Sequence, residues 1–286
     1  MSVRSKKEDL FRDIEHIDLG SYEQMSGMVQ KSGLFLGVLS HEDMWSLMRK
    51  SGLVSHLERK GFTELTSTIF TDENDIDHLG VFDESGELII DLRLSRKRYV
   101  WGLDDPYERA YDMIVIEWLS TRNPRRTVFT KERPQLPGQQ YPGLGCLRQL
   151  LRMMELFSKR MSCDGFLDVP DHLHLSLMYS RSFFFIDAEK EGTLRALLSS
   201  LKGESLYDIA WASVTEAIID DLSGLPYRYV PAEQLFAISG SLKSYFSSDL
   251  YRERVKENSF RQFYLDHDMM NRRRNELLKK NKASEM

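Results

Sequence analysis

Residues 78–94, HLGVFDESGELIIDLRL, hold two runs of strand character about the turn-forming quartet Asp83, Glu84, Ser85 and Gly86. Apolar and β-branched residues interrupted by such a turn predict a β-hairpin. TELTSTIFT (63–71) precedes it with a similar β-branched composition, and AYDMIVIEWLS (110–120) follows with a continuous apolar MIVI centre. A run of that kind is the pattern of a strand buried on both faces.

Helical signals lie on either side. Leu10, Phe11, Ile14 and Ile17 recur at helical spacing behind a cap at Ser5. Ser40 with the acidic pair that follows reads as an N-cap, Gly52 as a stop, and 53–60 as a second helix. LFLGVL (34–39) reads as a short buried strand, although over so few residues periodicity does not separate strand from helix. Beyond a charged, proline-bearing loop at 121–142 a long helix is expected, with DGFLDVP (164–170) and SFFFI (182–186) as strands around a helical DHLHLSLMYS. From Ala188 onward the chain reads as helix through GTLRALLSSL, SLYDIAWASVTEAIIDDL and PAEQLFAISGSLKSYF. The plan is a mixed αβ core over 34–187, with helical extensions at 1–33 and 188–286.

A chain of 286 residues, 41% of them hydrophobic, can bury one large core or two modest ones. A net charge of −5 argues against nucleic acid or an anionic membrane as a partner of the whole chain. Only Cys146 and Cys163 are present, which suits a reducing compartment. The charged start MSVRSKKEDLFRD has no apolar run behind it, and no segment approaches the roughly 18 apolar residues of a membrane span. These features predict a cytoplasmic protein.

The most informative stretch is LPGQQYPGLGCLRQLLRMMELFSKR (136–160), where a loop with Gly143 and Gly145 opens directly into an amphipathic helix. Leu144, Leu147, Leu151, Met154 and Phe157 trace one face, and Arg148, Arg152 and Lys159 another. Strand, glycine loop and helix in succession let backbone N–H groups and the helix dipole converge on an anion. The alternative is a turn that only delivers the chain into the helix. A nucleotide P-loop is excluded, because no G-x-x-x-x-G-K-S/T occurs, and the third glycine of a dinucleotide fingerprint is missing.

The hexamer Gln140-Tyr141-Pro142-Gly143-Leu144-Gly145 resembles the R/Q-x-x-G-x-G/A signature of the GNAT N-acetyltransferase superfamily, whose loop holds the pyrophosphate of an acyl-coenzyme A. Downstream, HLHLSLMYSRSFFF (172–185) is similar to the family's N-x-x-A-x-x-x-Y-x-x-x-G-F segment, with Tyr179 on the tyrosine and Phe184 on the final aromatic. His172, Leu175 and Phe183 depart from it, the 121–142 insertion is longer than usual, and Pro142 removes one N–H donor. PYRYV (226–230) is the candidate for a missing last strand. The resemblance implies a central mixed, mostly antiparallel sheet flanked by helices. It also implies an acetyl-CoA or other acyl-CoA co-substrate held by Gln140, Tyr141, Gly143, Leu144 and Gly145, and an amine acceptor of unknown identity.

Acyl transfer to an amine needs a base for the amine proton, donors for the oxyanion and an acid for the departing thiolate. The resemblance implies Glu117 as base and Tyr179 as acid. Glu117 is the only carboxylate in MIVIEWLS, where apolar neighbours would raise its pKa, and alternation turns it with Val115 away from Ile114 and Ile116. The other readings are a strand-end glutamate facing water and a core tyrosine. Arg125, Arg126, Lys131 and Arg133 are candidates for the 3′-phosphate, or simply solvate the loop. His172 and His174 do not share a helix face and read as capping or surface residues. Cys146, at a helix N-terminus, is expected to have a lowered pKa yet reads as a packing residue for want of a histidine partner. The basic residues Arg272, Arg273, Arg274, Lys279, Lys280 and Lys282 read as a solvated, partly disordered tail. Two functions remain: an acyltransferase working through a ternary complex, with coenzyme A or a carrier protein as donor, and a non-catalytic acyl-CoA-binding or protein-interaction module.

Overall fold

The structure, a computed structural model, describes residues 33–126, 128–130, 134–158 and 160–279. The expected N-terminal helix and Lys131, Arg133, Lys159, Lys280 and Lys282 lie outside the described residues.

Helix α1 (His41–Lys50) begins at the expected cap. The Ser40 hydroxyl accepts from the Asp43 N–H at 3.1 Å while the Asp43 carboxylate accepts from the Ser40 N–H at 3.2 Å, a reciprocal capping box. Gly52, at φ +80°, turns the chain into α2 (Leu53–Arg59). Residues 34–39 are a tight turn rather than a strand. Leu36 and Gly37 both adopt positive φ, which reverses the chain so that Phe35 bridges to Leu39. Their apolar character reflects burial of the turn itself, since Phe35 and Leu39 are fully enclosed.

Strands β1 (Thr66–Thr71), β2 (Asp77–Phe82), β3 (Leu88–Val100) and β4 (Ala110–Thr121) form an antiparallel meander. Asp83 closes the β2–β3 turn by accepting from the N–H groups of Ser85 and Glu87 at 2.9 and 3.0 Å. Helix α3 (Leu147–Ser158) then carries the chain to β5 (Gly165–Asp168), parallel to β4. After α4 (Leu173–Tyr179), β6 (Phe184–Phe185), α5 (Ala188–Ser200), α6 (Leu206–Val214) and β7 (Ile218–Asp220) comes β8 (Gln234–Ala237), followed by α7 (Gly240–Ser247), α8 (Asp249–Asn258), β9 (Phe263–Leu265) and α9 (His267–Lys279).

The main sheet has seven strands in the order β1-β2-β3-β4-β5-β8-β6, antiparallel throughout except at β4–β5, and β7 pairs with β9 separately. Two runs expected to be helical are therefore strands. Ile218–Asp220 and Gln234–Ala237 are three and four residues long, too short for apolar spacing to separate helix from strand, and their pairing partners decide. The place foreseen for 226–230 is taken by β8, which inserts between β5 and β6. The seventh strand thus comes from beyond residue 187. The described part of the C-terminal basic segment, up to Lys279, is docked helix: Arg273 donates to Thr215 O at 2.6 Å and Arg274 to the Tyr207 hydroxyl at 3.1 Å.

Both faces of the sheet are covered. Ile114, Ile116 and Phe166 pack with Met44, Leu150 and Phe157 beneath α1 and α3. Met113, Val115 and Leu167 face the other way, against Leu242, Tyr245 and Tyr251 of α7 and α8. The whole MIVI run is buried, as its composition predicts. A third core gathers α5, α6, β7, β9 and α9 around Trp211, whose indole donates to Gln135 O at 2.9 Å. None of the described helices is long and apolar enough to cross a membrane.

Gly165 is wedged where three strands meet. A Cβ there would lie 2.5 Å from Phe236 O of β8 and 3.0 Å from the Met113 methyl of β4. Gly165→Ala is expected to destabilise the fold by about 1–3 kcal/mol in urea unfolding, and an unchanged midpoint would show that the strands are not held this closely.

Candidate functional site

The register between β4 and β5 lasts three residues: Met113 with Gly165, Ile114 with Phe166 and Val115 with Leu167. β5 ends at Asp168, whereas β4 runs on to Thr121 with no strand on that side among the described residues. Within this stretch Glu117 is the extra residue of a β-bulge, since Arg93 pairs with Trp118 and Leu94 with Ile116. The sheet therefore opens beside the C-terminal half of β4.

The glycine turn closes over the end of that strand. The Asn123 N–H donates to Pro142 O at 2.8 Å and the Leu144 N–H to Thr121 Oγ1 at 3.4 Å. Gly143 is glycine partly because of this packing, as a Cβ would stand 3.3 Å from Thr121 Oγ1. Gly145, at φ +65°, needs glycine for its backbone. The Leu144 amide is thus spent on the fold, and its side chain is fully buried. Gln140 and Tyr141 are exposed, with the Arg122 guanidinium 4.3 Å from the Tyr141 ring centre.

Among the described residues no acceptor meets the N–H groups of Gly145, Leu147, Arg148 and Gln149, so the positive end of α3 stays open. Its inward face keeps Met154 and Phe157 of the stripe expected from sequence and adds Leu150 and Met153, with Leu147 and Leu151 partly buried at its edge. Leu151 packs at the edge of that core and also lines a cleft of about 560 Å3, with Arg148, Arg152 and Glu155 along α3, and Ser182 and Phe236 among the rest of the lining. Arg148 and Arg152 are exposed and make no ion pair among the described residues. Arg125, in contrast, donates to Gly61 O at 2.6 Å, pairs with Glu84 and lies over Phe62, which ties it to the α2–β1 corner. Arg126 is exposed on the loop.

Glu117 is not a lone acid among apolar side chains. Its Oε1 accepts from Ser95 Oγ and from Lys97 Nζ, each at 2.5 Å. These partners put it on the face of Met113 and Val115, as alternation predicts, whereas Tyr179 lies in the core of the opposite face beside Phe183. The two residues expected to share a reaction are on opposite sides of the sheet. Burial, with the nearby Asp168 charge, pushes the Tyr179 hydroxyl above its ordinary range.

Asp168 is the residue that sequence reasoning missed. It follows Phe166 by two positions and so shares the α3 face. Its direct partner on β8 is Gln234, which is fully buried, donates to Ser176 O at 3.4 Å and has an amide oxygen with no donor among the described residues. Burial, and secondarily the charge of Asp171, pushes the Asp168 carboxyl up to about 7. A lone aspartate before a proline-ended strand carries no sequence signal of this, because the burial comes from β8, far along the chain.

The remaining candidates are structural. Cys146 is buried, which outweighs the helix terminus and pushes its thiol up to about 12, opposite to expectation. His172 is the N-cap residue of α4 without a side-chain cap bond, and its ring stacks on that of His174 at 5.2 Å. Burial pushes His174 down to about 4. No group of three metal-ligating side chains occurs among the described residues. No protein-family model matches this chain, and no curated protein matches its sequence.

Because the folded state holds a proton on Asp168 that the unfolded chain releases above about pH 4, stability falls as pH rises toward 7. Asp168→Asn is expected to remove about 1–2 kcal/mol of that fall between pH 5 and 8, read by urea unfolding. The same slope in both proteins would place the carboxylate in water.

Proposed function

We propose that this chain binds acyl-coenzyme A where the sheet opens beside β4 and transfers a short acyl group to an amine. The observation that carries the reading lies along the first half of α3: among the described residues the N–H groups of Gly145, Leu147, Arg148 and Gln149 meet no acceptor, and the guanidinium groups of Arg148 and Arg152, without ion-pair partners there, line the cleft on the same helix. Such donors suit a diphosphate, which takes several N–H bonds and favours bidentate arginine. Gly143, Gly145 and the first turn of α3 would hold the pyrophosphate. Arg148 and Arg152 take over the phosphate role that the sequence suggested for the 121–142 loop. The strand order, with one parallel pair in an otherwise antiparallel sheet, supports the resemblance to the GNAT superfamily.

In this reading the amine nitrogen attacks the thioester carbonyl, forming a C–N bond as the C–S bond breaks. Asp168, on the same face as Tyr179, takes the proton released by the amine, and its elevated pKa makes it a competent base near neutrality. Tyr179 stays protonated at neutral pH and supplies a proton to the leaving thiolate. Glu117 stays with Lys97 and Ser95 and fixes the bulge. The two free cysteines suit a cytoplasmic setting.

One observation favours a second reading, a binder without turnover: the carboxylate expected to act as base is neutralised on the far face of the sheet. Titration calorimetry with acetyl-coenzyme A is expected to show binding that Arg148→Glu with Arg152→Glu weakens at least roughly tenfold. Absence of binding at millimolar ligand would reject both readings. With amine present, thiol release is expected to rise with pH to half its maximum near 7, the value of Asp168. Tyr179→Phe should slow release by about 10²-fold without weakening binding. Binding with no thiol release from any amine would leave the non-catalytic binder.

A further inference from the structure

A second cavity, of about 180 Å3, lies between α4, α5 and the 227–230 segment, away from α3. Its apolar lining is Leu173, Phe185, Leu194 and the residues Tyr227 and Tyr229. Lys190, Arg228 and Arg261 also line it, and no carboxylate is among the lining residues. The acids that neutralise the two arginines, Glu216 at 2.9 Å from Arg228 and Asp220 at 2.6 Å from Arg261, are not in the lining. Lys190 gives one bond, to Val230 O at 3.3 Å, and Arg228 one ion pair, so both retain donors among the described residues.

Three cations around an apolar, aromatic cavity without an acid form an amphipathic receptor. An inorganic anion would meet the charge and leave the ring faces wet, and a neutral hydrocarbon would desolvate the cations for nothing. The volume falls below the roughly 300–1,000 Å3 of drug-sized pockets, which limits the occupant to about one ring. From this we infer that the cavity is a binding site for a small aromatic carboxylate, its ring against Tyr227, Tyr229 and Phe185 and its carboxylate toward Lys190 and Arg228. The Tyr229 hydroxyl also donates to Pro170 O at 2.8 Å and meets Ser176 Oγ at 2.6 Å, so an occupant would rest on the residue that braces the β5–α4 junction beside Asp168. This inference does not depend on the acyltransferase reading.

The test is calorimetric titration of the full chain with 4-hydroxybenzoate, 4-hydroxybenzamide and inorganic phosphate as probes. The benzoate is expected to saturate the protein with an affinity at least roughly tenfold above that of the amide or of phosphate. Lys190→Gln with Arg228→Gln, the first half-buried and the second exposed, is expected to weaken it about tenfold with the thermal midpoint and acetyl-coenzyme A binding unchanged. Equal affinity for the neutral amide or for phosphate, an unaltered benzoate affinity in the double variant, or no saturation at about 10 mM would overturn the assignment.

Discussion

Three backbone pairings, from Met113–Gly165 to Val115–Leu167, join the meander β1–β4 to the strands β5, β8 and β6. Everything at the candidate site follows from how short that seam is. Parallel strands need a covered crossover, and α3 supplies it by burying Leu150, Met153 and Phe157 over the seam. Because β5 stops at Asp168 while β4 continues, the crossover starts beside an open strand edge. Gly165 allows β8 to press close behind the seam, and Asp164 anchors its start by accepting from the Asp112 N–H at 2.9 Å.

The same seam divides the ionisable residues. Phe166 and Asp168 point to the α3 side, Leu167 to the other, so the position at which β5 ends decides which carboxylate enters the cleft side of the sheet. Glu117 emerges from a bulge on the far side and finds Lys97 and Ser95 there. Asp168 pairs with Gln234 of β8, and no cation among the described residues counters the desolvation that raises it. Neighbours rather than residue type thus separate the two acids, one paired with Lys97 and the other, without such a partner among the described residues, pushed up by desolvation.

The local elements were legible where local physics decides them. The Ser40 capping box, the Asp83 turn and the four meander strands all follow from side chains a few residues apart. Elements made by distant partners were not legible. Gln234–Ala237 lies in a run that reads as helix and becomes a strand because β5 and β6 flank it. The glycine turn was found, but one reason for Gly143, its approach to Thr121, depends on where β4 ends. Likewise Cys146 follows its burial rather than its place at a helix terminus, and the arginine face of α3 was legible from spacing while the cleft it borders was not, because Ser182 and Phe236 reach it from distant parts of the chain.

The central claim is that the open amides of the α3 N-terminus form a diphosphate site. Amide chemical shifts of 15N-labelled protein titrated with coenzyme A test it most directly. The account predicts saturable shifts concentrated at Gly145, Leu147, Arg148 and Gln149. Shifts confined to other parts of the molecule, or none at saturating ligand, would contradict it.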